Sequence, residues 1–351
     1  MSDNSLARPA LADLTTLGLG GPAGKLVTAG SSDEIVAAVR DAGRSGEPVL
    51  LLAGGSNVVI GDAGFPGTVV LVRSSGVTVT GRDGDDVSVR MAAGHPWDDA
   101  VAQTVAAGWS GIEAMSGVPG AAGSTPIQNV GAYGQDVSQT VESVTVYDRT
   151  EGEIRQFTPE ECRFEFRNSV FKYTDRWVVL DVVFRLRQDG LSGPVAYAEL
   201  ARVLGVELGE RAPLDKVREA VLELRRSKGM VLDPTDPDTR SVGSFFVNPI
   251  LSSQAYAGLR ERAGELEPPA WPGADGVVKL SAAWLIEQAG FGKGYRRGPV
   301  AISSKHALAL THPGGGTTAD LLALAAEIRD GVHERFGVTL RPEPVLVSCE
   351  F

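Results

Sequence analysis

The stretch Val118-Pro119-Gly120-Ala121-Ala122-Gly123-Ser124-Thr125-Pro126-Ile127-Gln128-Asn129-Val130-Gly131-Ala132-Tyr133-Gly134 decides how this chain is read. Glycine recurs through it as it does where backbone turns with positive φ or approaches another group closely. Successive main-chain N–H groups in such turns form concavities that bind anions. A solvated surface loop would be mostly Ser, Asp, Lys and Pro. This one keeps the apolar Val118, Ile127, Val130 and Tyr133, which predicts that it packs against something. A ligand cradle and a purely structural turn are the two readings, and the mixture of glycine with apolar anchors favours the cradle.

Composition sets the frame around that loop. A chain of 351 residues with 43% hydrophobic content and 43 glycines is long enough for two or three domains and reads as globular and loop-rich. The net charge of -11 argues against nucleic acid or an anionic membrane as the main partner. Cys162 and Cys349 are the only cysteines, so neither a disulfide framework nor a metal site is expected. Met1-Ser2-Asp3-Asn4 has no basic or apolar signal character and no run of 18 apolar residues occurs, so a cytoplasmic protein is expected.

Outward from the loop, short strands and helices alternate. Ser32 is expected to cap a helix stopped by Gly43, and Trp97, Val101 and Val105 mark a second helix ending at Gly108. Strands are expected at 69–72, 77–80, 87–91, 141–148, 154–157 and 177–186. Beyond the turn at 190–194 come helices at 215–227, 252–263, 281–290 and 317–336, the last with Thr317 and Asp320 in a capping box. A final strand is expected through Val338 to Glu343.

Several short motifs carry possible chemistry. Gly54-Gly55-Ser56-Asn57 follows an apolar strand and reads either as a phosphate-cradling turn or as a tight structural one. Gly18-Leu19-Gly20-Gly21 is not a dinucleotide fingerprint, because no strand precedes it and no helix opens after it. Arg167 stands among apolar residues in Phe166-Arg167-Asn168-Ser169-Val170-Phe171, where a cation needs an anion or a salt bridge. Ser244 sits between Gly243 and two phenylalanines. Glu343 lies between Pro342 and Pro344, where burial should raise its pKa. The four histidines have no metal-binding spacing, and none lies in a glycine turn.

These segments occur in the order and register of one family. From Thr15-Thr16-Leu17-Gly18-Leu19-Gly20-Gly21 through Gly55-Ser56-Asn57, the loop at 126–134, Glu161 to Lys172, Gly243-Ser244-Phe245-Phe246, Lys279 to Ile286, Gly292-Lys293-Gly294, Lys305-His306-Ala307-Leu308 and Pro342-Glu343, the chain resembles the flavin-dependent UDP-N-acetylenolpyruvoylglucosamine reductases of peptidoglycan synthesis. The segment around Tyr197 resembles the mobile tyrosine loop of their type I branch. The resemblance implies an α+β fold: an arm at 1–13, an FAD-binding domain of the vanillyl-alcohol-oxidase (PCMH) type at 14–204, a smaller α/β substrate-binding domain at 205–337, and a last strand at 338–351 returning to the active site. It implies noncovalent FAD held by Gly54, Gly55, Ser56, Asn57, Gly120, Gly123, Ser124, Pro126, Gln128, Asn129, Gly131, Ala132 and Tyr133. NADPH is the implied co-substrate and UDP-N-acetylglucosamine enolpyruvate the substrate, contacted by Tyr197, Arg225, Lys228, Asn248, Lys293 and His306. A monomer without nucleic-acid or membrane partners is expected.

The same resemblance assigns the catalytic roles: Ser244 as proton donor, with Arg167 and Glu343 stabilising the charge that develops on the substrate. Val247 stands where the family commonly has lysine, Gly229-Met230-Val231 follows Lys228 where Leu-Pro is frequent, and Pro344 replaces the usual valine. Two other readings remain open: a flavin oxidase acting on a sugar alcohol, and a non-catalytic flavin- or UDP-sugar-binding protein.

Overall fold

Ser31, one residue before the expected position, caps the first helix by accepting the Glu34 N–H at 3.2 Å. The helix Ser32–Arg44 continues through Gly43, because Ile35, Val36, Val39 and Ala42 bury one face and hold its last turn in place. The molecule is described here from a computed structural model covering residues 9–351. It is a mixed α+β protein divided into two compact units whose segments interleave along the chain. The first comprises residues 23–55 and 66–231, and the second residues 9–22, 56–65 and 232–351.

The first unit is built on two sheets. Strand Val49–Leu52 runs parallel to Phe65–Val72, with Ala23–Ala29 on the other side of the latter. A larger antiparallel sheet has the order Glu153–Phe157, Val141–Asp148, Trp177–Gln188, Asp86–Ala92, Val77–Asp83, with Trp109–Ser110 pairing at the end of the long strand. The strand Trp177–Gln188 is the centre of this sheet, and Val178, Val182, Phe184 and Leu186 are almost fully buried. Its alternating inward residues pack on helix Trp97–Ala106, where Trp97 lies 5.6 Å from Phe184 by ring centroids. A smaller core of Val195, Leu200, Val217, Val221 and Leu224 joins the helices Ala198–Leu204 and Leu214–Ser227, with Tyr133 against it. The first unit thus extends to Val231, past the border expected at 204/205.

In the second unit, strands Ser241–Ser244, Ala309–Thr311, Val300–Ile302 and Arg296–Arg297 form one sheet in that order. Helix Thr318–Phe336 covers it with Leu321, Leu324, Ile328 and Val332 and has the expected capping box, Thr317 accepting the Asp320 N–H at 3.1 Å. Two corrections fall here. Residues 1–8 of the expected arm lie outside the described residues, whereas Leu11 is fully buried and donates its N–H to the Gly21 carbonyl at 2.9 Å. The last strand is confined to Val345–Val347, parallel to Val58–Ile60. Pro342 and Pro344 have no N–H to donate, so a ladder cannot run through them. Among the described residues no helix is long and apolar enough to cross a membrane.

At the far end of the large sheet Asp148 is fully buried and takes both Nε and Nη2 of Arg176, at 2.9 and 2.6 Å. That fork, with the N–H groups of Thr150 and Glu151, overcomes burial and holds the Asp148 carboxyl at a pKa of about 2. A depressed folded-state pKa contributes stability that is complete above the unfolded value, about 3.9, and is lost as pH falls through the folded one. Asp148→Asn should therefore lower the Tm at neutral pH, and its deficit against wild type should shrink as pH falls from about 4 towards 2. Thermal scans across that range check this; a deficit independent of pH would show that the charge is not what matters.

Candidate active site

Two glycine turns meet in the first unit. A Cβ on Gly54 would lie 2.7 Å from Gly120 Cα, so the main chains touch with no space for a side chain. The loop after Gly120 is pinned from below: Gly120 accepts the Trp97 N–H, and the Ala122 and Gly123 N–H groups go to His95 and Ala93 carbonyls, all at 2.9 to 3.0 Å. Gly123 fits only as glycine, since a Cβ there would come within 2.5 Å of Ala93 Cβ. The turn Ala122–Ser124 closes on itself, Ser124 Oγ donating to the Ala121 carbonyl at 2.8 Å. A cradle of bare backbone of this kind fits a phosphate-bearing cofactor.

Farther along, the non-glycine residues Asn129 and Tyr133 adopt φ of 46° and 49°. Such conformations cost roughly 1–3 kcal/mol each and persist only when the surroundings impose them. For Asn129 the imposing groups are evident: its amide donates to the Glu165 carbonyl at 3.1 Å and accepts the Ser138 N–H at 3.1 Å. The Asn129 side chain thereby shapes the loop. Arg167, itself at φ 56°, reaches the same loop and donates to the carbonyls of Asn129 at 3.3 Å and Gly131 at 2.7 Å. Its guanidinium also lies over the Phe166 ring, at 5.3 Å.

The end of the loop meets the segment expected to contact substrate. Tyr133 and Tyr197 pack edge to face with centroids 5.4 Å apart, and Lys228 Nζ lies 5.7 Å from the Tyr133 ring centre. Burial raises the pKa of the Tyr133 hydroxyl. Lys228 also pairs with Glu199 at 2.5 Å, while Tyr197 remains 44% exposed. Arg225 donates to the Met230 carbonyl at 2.8 Å, but its Nε is buried without a hydrogen-bond partner. Burial lowers its pKa.

Two carboxylates that sequence reasoning missed support this region. Asp98 accepts the Gly117 N–H at 2.6 Å and a two-pronged bond from Arg218 at 2.6 and 3.0 Å. Burial pushes its pKa up, but these donors outweigh it and leave the carboxyl below its usual range. Glu113 is completely buried and accepts N–H groups from three separate segments.

In the second unit the backbone brings Ser244 and Glu343 together. Ser244 ends its strand opposite Ala309, directly after Gly243 at φ 75°. The next residue, Phe245, accepts the Glu343 N–H at 2.8 Å, and Val247 donates to Arg341 at 3.0 Å. Asn57 comes to the same edge, accepting the Val345 N–H at 3.0 Å. Phe245 and Phe246 are buried beneath and fix this segment. Asn248 Oδ1 accepts the Ala282 N–H at 2.9 Å, so its amino end is the one left to donate. His306 Nδ1 accepts the Leu308 N–H at 3.1 Å, which places the proton of the neutral ring on Nε2. Lys293 is exposed on the loop before strand Arg296–Arg297. A surface hollow lined by Arg40, Arg44, Arg149 and Arg176 lies in the first unit and contains none of the expected site residues.

Comparison with known proteins follows the same division. Residues 23–158 match the family model of an FAD binding domain, and residues 233–347 that of UDP-N-acetylenolpyruvoylglucosamine reductase, C-terminal domain. The chain is 61% identical to the UDP-N-acetylenolpyruvoylglucosamine reductase of Salinispora arenicola over 97% of its own length and 94% of that protein. With the enzyme of the same name from Thermobifida fusca it shares 59% identity over 96% of each chain. The crystal structure of the Thermus caldophilus enzyme has the same fold, with a TM-score of 0.66 at 24% identity over 97% of this chain and 98% of that one. The chain belongs to the UDP-N-acetylenolpyruvoylglucosamine reductase family.

Proposed function

We propose that this protein is a cytoplasmic, monomeric flavoenzyme that uses NADPH to reduce UDP-N-acetylglucosamine enolpyruvate to UDP-N-acetylmuramate. The observation that carries the proposal is the pairing of the Ser244 and Glu343 segments through the bond from Glu343 N–H to the Phe245 carbonyl. A binding protein without turnover gives no reason for the segments that carry this serine and this glutamate to be paired. An oxidase of sugar alcohols would need a base in the place of Ser244.

The glycine turns would hold FAD, with Gly54, Gly55, Ser56, Asn57, Gly120, Gly123, Ser124, Pro126, Gln128, Asn129, Gly131, Ala132 and Tyr133 as its contacts. Noncovalent binding fits a loop without histidine or cysteine. Bound FAD would supply the redox chemistry, the relay of hydride from NADPH to the enolpyruvyl double bond. Arg167 and Glu343 stabilise the negative charge that collects on the adjacent carbon and its carboxylate. Fixed donors of this kind commonly contribute about 3–4 kcal/mol each. Glu343 serves as a donor when protonated. Ser244 gives its hydroxyl proton to the charged carbon, and it can do so because that carbon is strongly basic. Tyr197, Arg225, Lys228, Asn248, Lys293 and His306 hold the UDP portion, the cations meeting the diphosphate.

Three outcomes test this. Acid precipitation should release all of the flavin into the supernatant; flavin retained in the pellet contradicts noncovalent binding. Because the chain carries no separate dinucleotide fingerprint, NADPH and substrate should share one site. Initial rates should then be ping-pong with competitive inhibition by substrate against NADPH, and intersecting lines from a ternary complex would count against it. Ser244→Ala should leave flavin reduction by NADPH near wild type and slow reoxidation by substrate at least about 10²–10⁴-fold. Its stability should fall by no more than about 0.5–1.5 kcal/mol, the worth of one hydrogen bond. Equal loss in both half-reactions, or in neither, removes Ser244 from the role of proton donor.

A further inference from the structure

Glu113 is a titratable group, completely buried, that the reaction itself does not use. Its Oε2 accepts the Gly111 N–H at 2.6 Å, and its Oε1 accepts both the Gly193 N–H and the Gln135 amide, each at 2.9 Å. Among the described residues no cation pairs with it. Gln135 completes the ring by accepting the Ala114 N–H at 2.8 Å. All these partners are neutral donors, so the carboxylate is held as an anion is held in an anion-binding nest. An amide could not substitute for it. Glutamine would turn its NH2 towards either Gly111 N–H or the two donors on the other side, and at least one buried donor would lose its acceptor.

The three joined segments have functional neighbours. Gln135 directly follows the cradle loop, and Gly193 opens the segment that leads to Tyr197. From that shared base the two segments run together. A Cβ on Gly134 would lie 3.0 Å from Ala196 Cβ, and one residue farther out the rings of Tyr133 and Tyr197 meet edge to face. Lys228, over the Tyr133 ring and paired with Glu199, stands beside them.

We infer that Glu113 is a positioning residue: it fixes the base of the Tyr197 segment to the end of the cradle loop, so that Tyr133, Tyr197 and Lys228 are presented together to the nucleotide portion of the substrate. The inference rests on the assignment of substrate contacts made above. Glu113 touches neither substrate nor reacting atoms, so its loss should weaken binding and leave the chemical step intact.

The test uses Glu113→Gln holoenzyme, with Gln135→Ala as a second variant that removes one donor and keeps the carboxylate. Reoxidation of the reduced protein is followed against substrate concentration, and amide hydrogen exchange is read over residues 190–200. Both variants should raise the apparent Kd for substrate, by at least about tenfold for Glu113→Gln, the scale of one unmet buried hydrogen bond. The saturating rate should stay within about twofold of wild type. Exchange should quicken over 190–200 and remain unchanged in Trp177–Gln188. Unchanged Kd and exchange overturn the inference, as does a loss confined to the saturating rate. If Glu113→Gln does not fold, Gln135→Ala alone decides between these outcomes. Should the wild-type protein not be reoxidised by substrate at all, the reading of its function fails, whereas the exchange measurement still decides whether Glu113 holds the Tyr197 segment.

Discussion

No side chain fits between Gly54 and Gly120, where a Cβ on the first would sit 2.7 Å from the Cα of the second, and the first unit is organised around that closeness. Bare backbone brought together in this way leaves main-chain N–H groups to face an anion. A glycine-rich loop has little shape of its own and loses much conformational freedom when it is ordered. Its shape is imposed by neighbours: the Asn129 amide bonded to residues 138 and 165, Arg167 bonded to the carbonyls of 129 and 131, and the carboxylates of Asp98 and Glu113 at its two ends. Side chains each held by several hydrogen bonds make a rigid frame for a flexible sequence.

The second unit solves a different problem, bringing residues from distant parts of the chain to one edge. Ser244 follows a glycine at positive φ that turns the strand end, and Phe245 and Phe246 anchor what comes next. Pro342 and Pro344 flank Glu343 and prevent the returning chain from pairing as an ordinary strand. Only alternate N–H groups remain, and that of Glu343 goes to Phe245. The interruption is thus compatible with a carboxyl held at a set place and not buried in a continuous ladder.

Much of this was legible in the sequence, for reasons that differ by element. The helix Thr318–Phe336 has a capping box and a regular apolar face, both local signals, and it begins within one residue of the expected start. The strands Val141–Asp148 and Trp177–Gln188 were visible as β-branched, apolar runs. Gly43, a helix stop by residue type, does not end its helix because packing by Ile35 and Val39 outweighs the cost of one glycine. The last strand begins later than its apolar pattern suggests because pairing depends on which donors the prolines remove. Within the candidate site, the glycine turns, Arg167, Ser244 and Glu343 stand out by residue type. Glu113 and Asp98 do not, since a single acidic residue in a short turn looks solvated until the folded chain surrounds it with donors. The Asn129 amide was unreadable for a related reason, its partners lying 9 and 36 residues away.

Flavin binding at the glycine turns and proton transfer from Ser244 are the two parts of the proposed reaction. An anaerobic spectral titration of the purified protein tests it most directly. The visible flavin band should bleach on addition of NADPH and return in full on addition of one equivalent of UDP-N-acetylglucosamine enolpyruvate, with UDP-N-acetylmuramate formed in the same amount. A protein that binds no flavin, or whose bleached band the enolpyruvyl substrate does not restore, would contradict it.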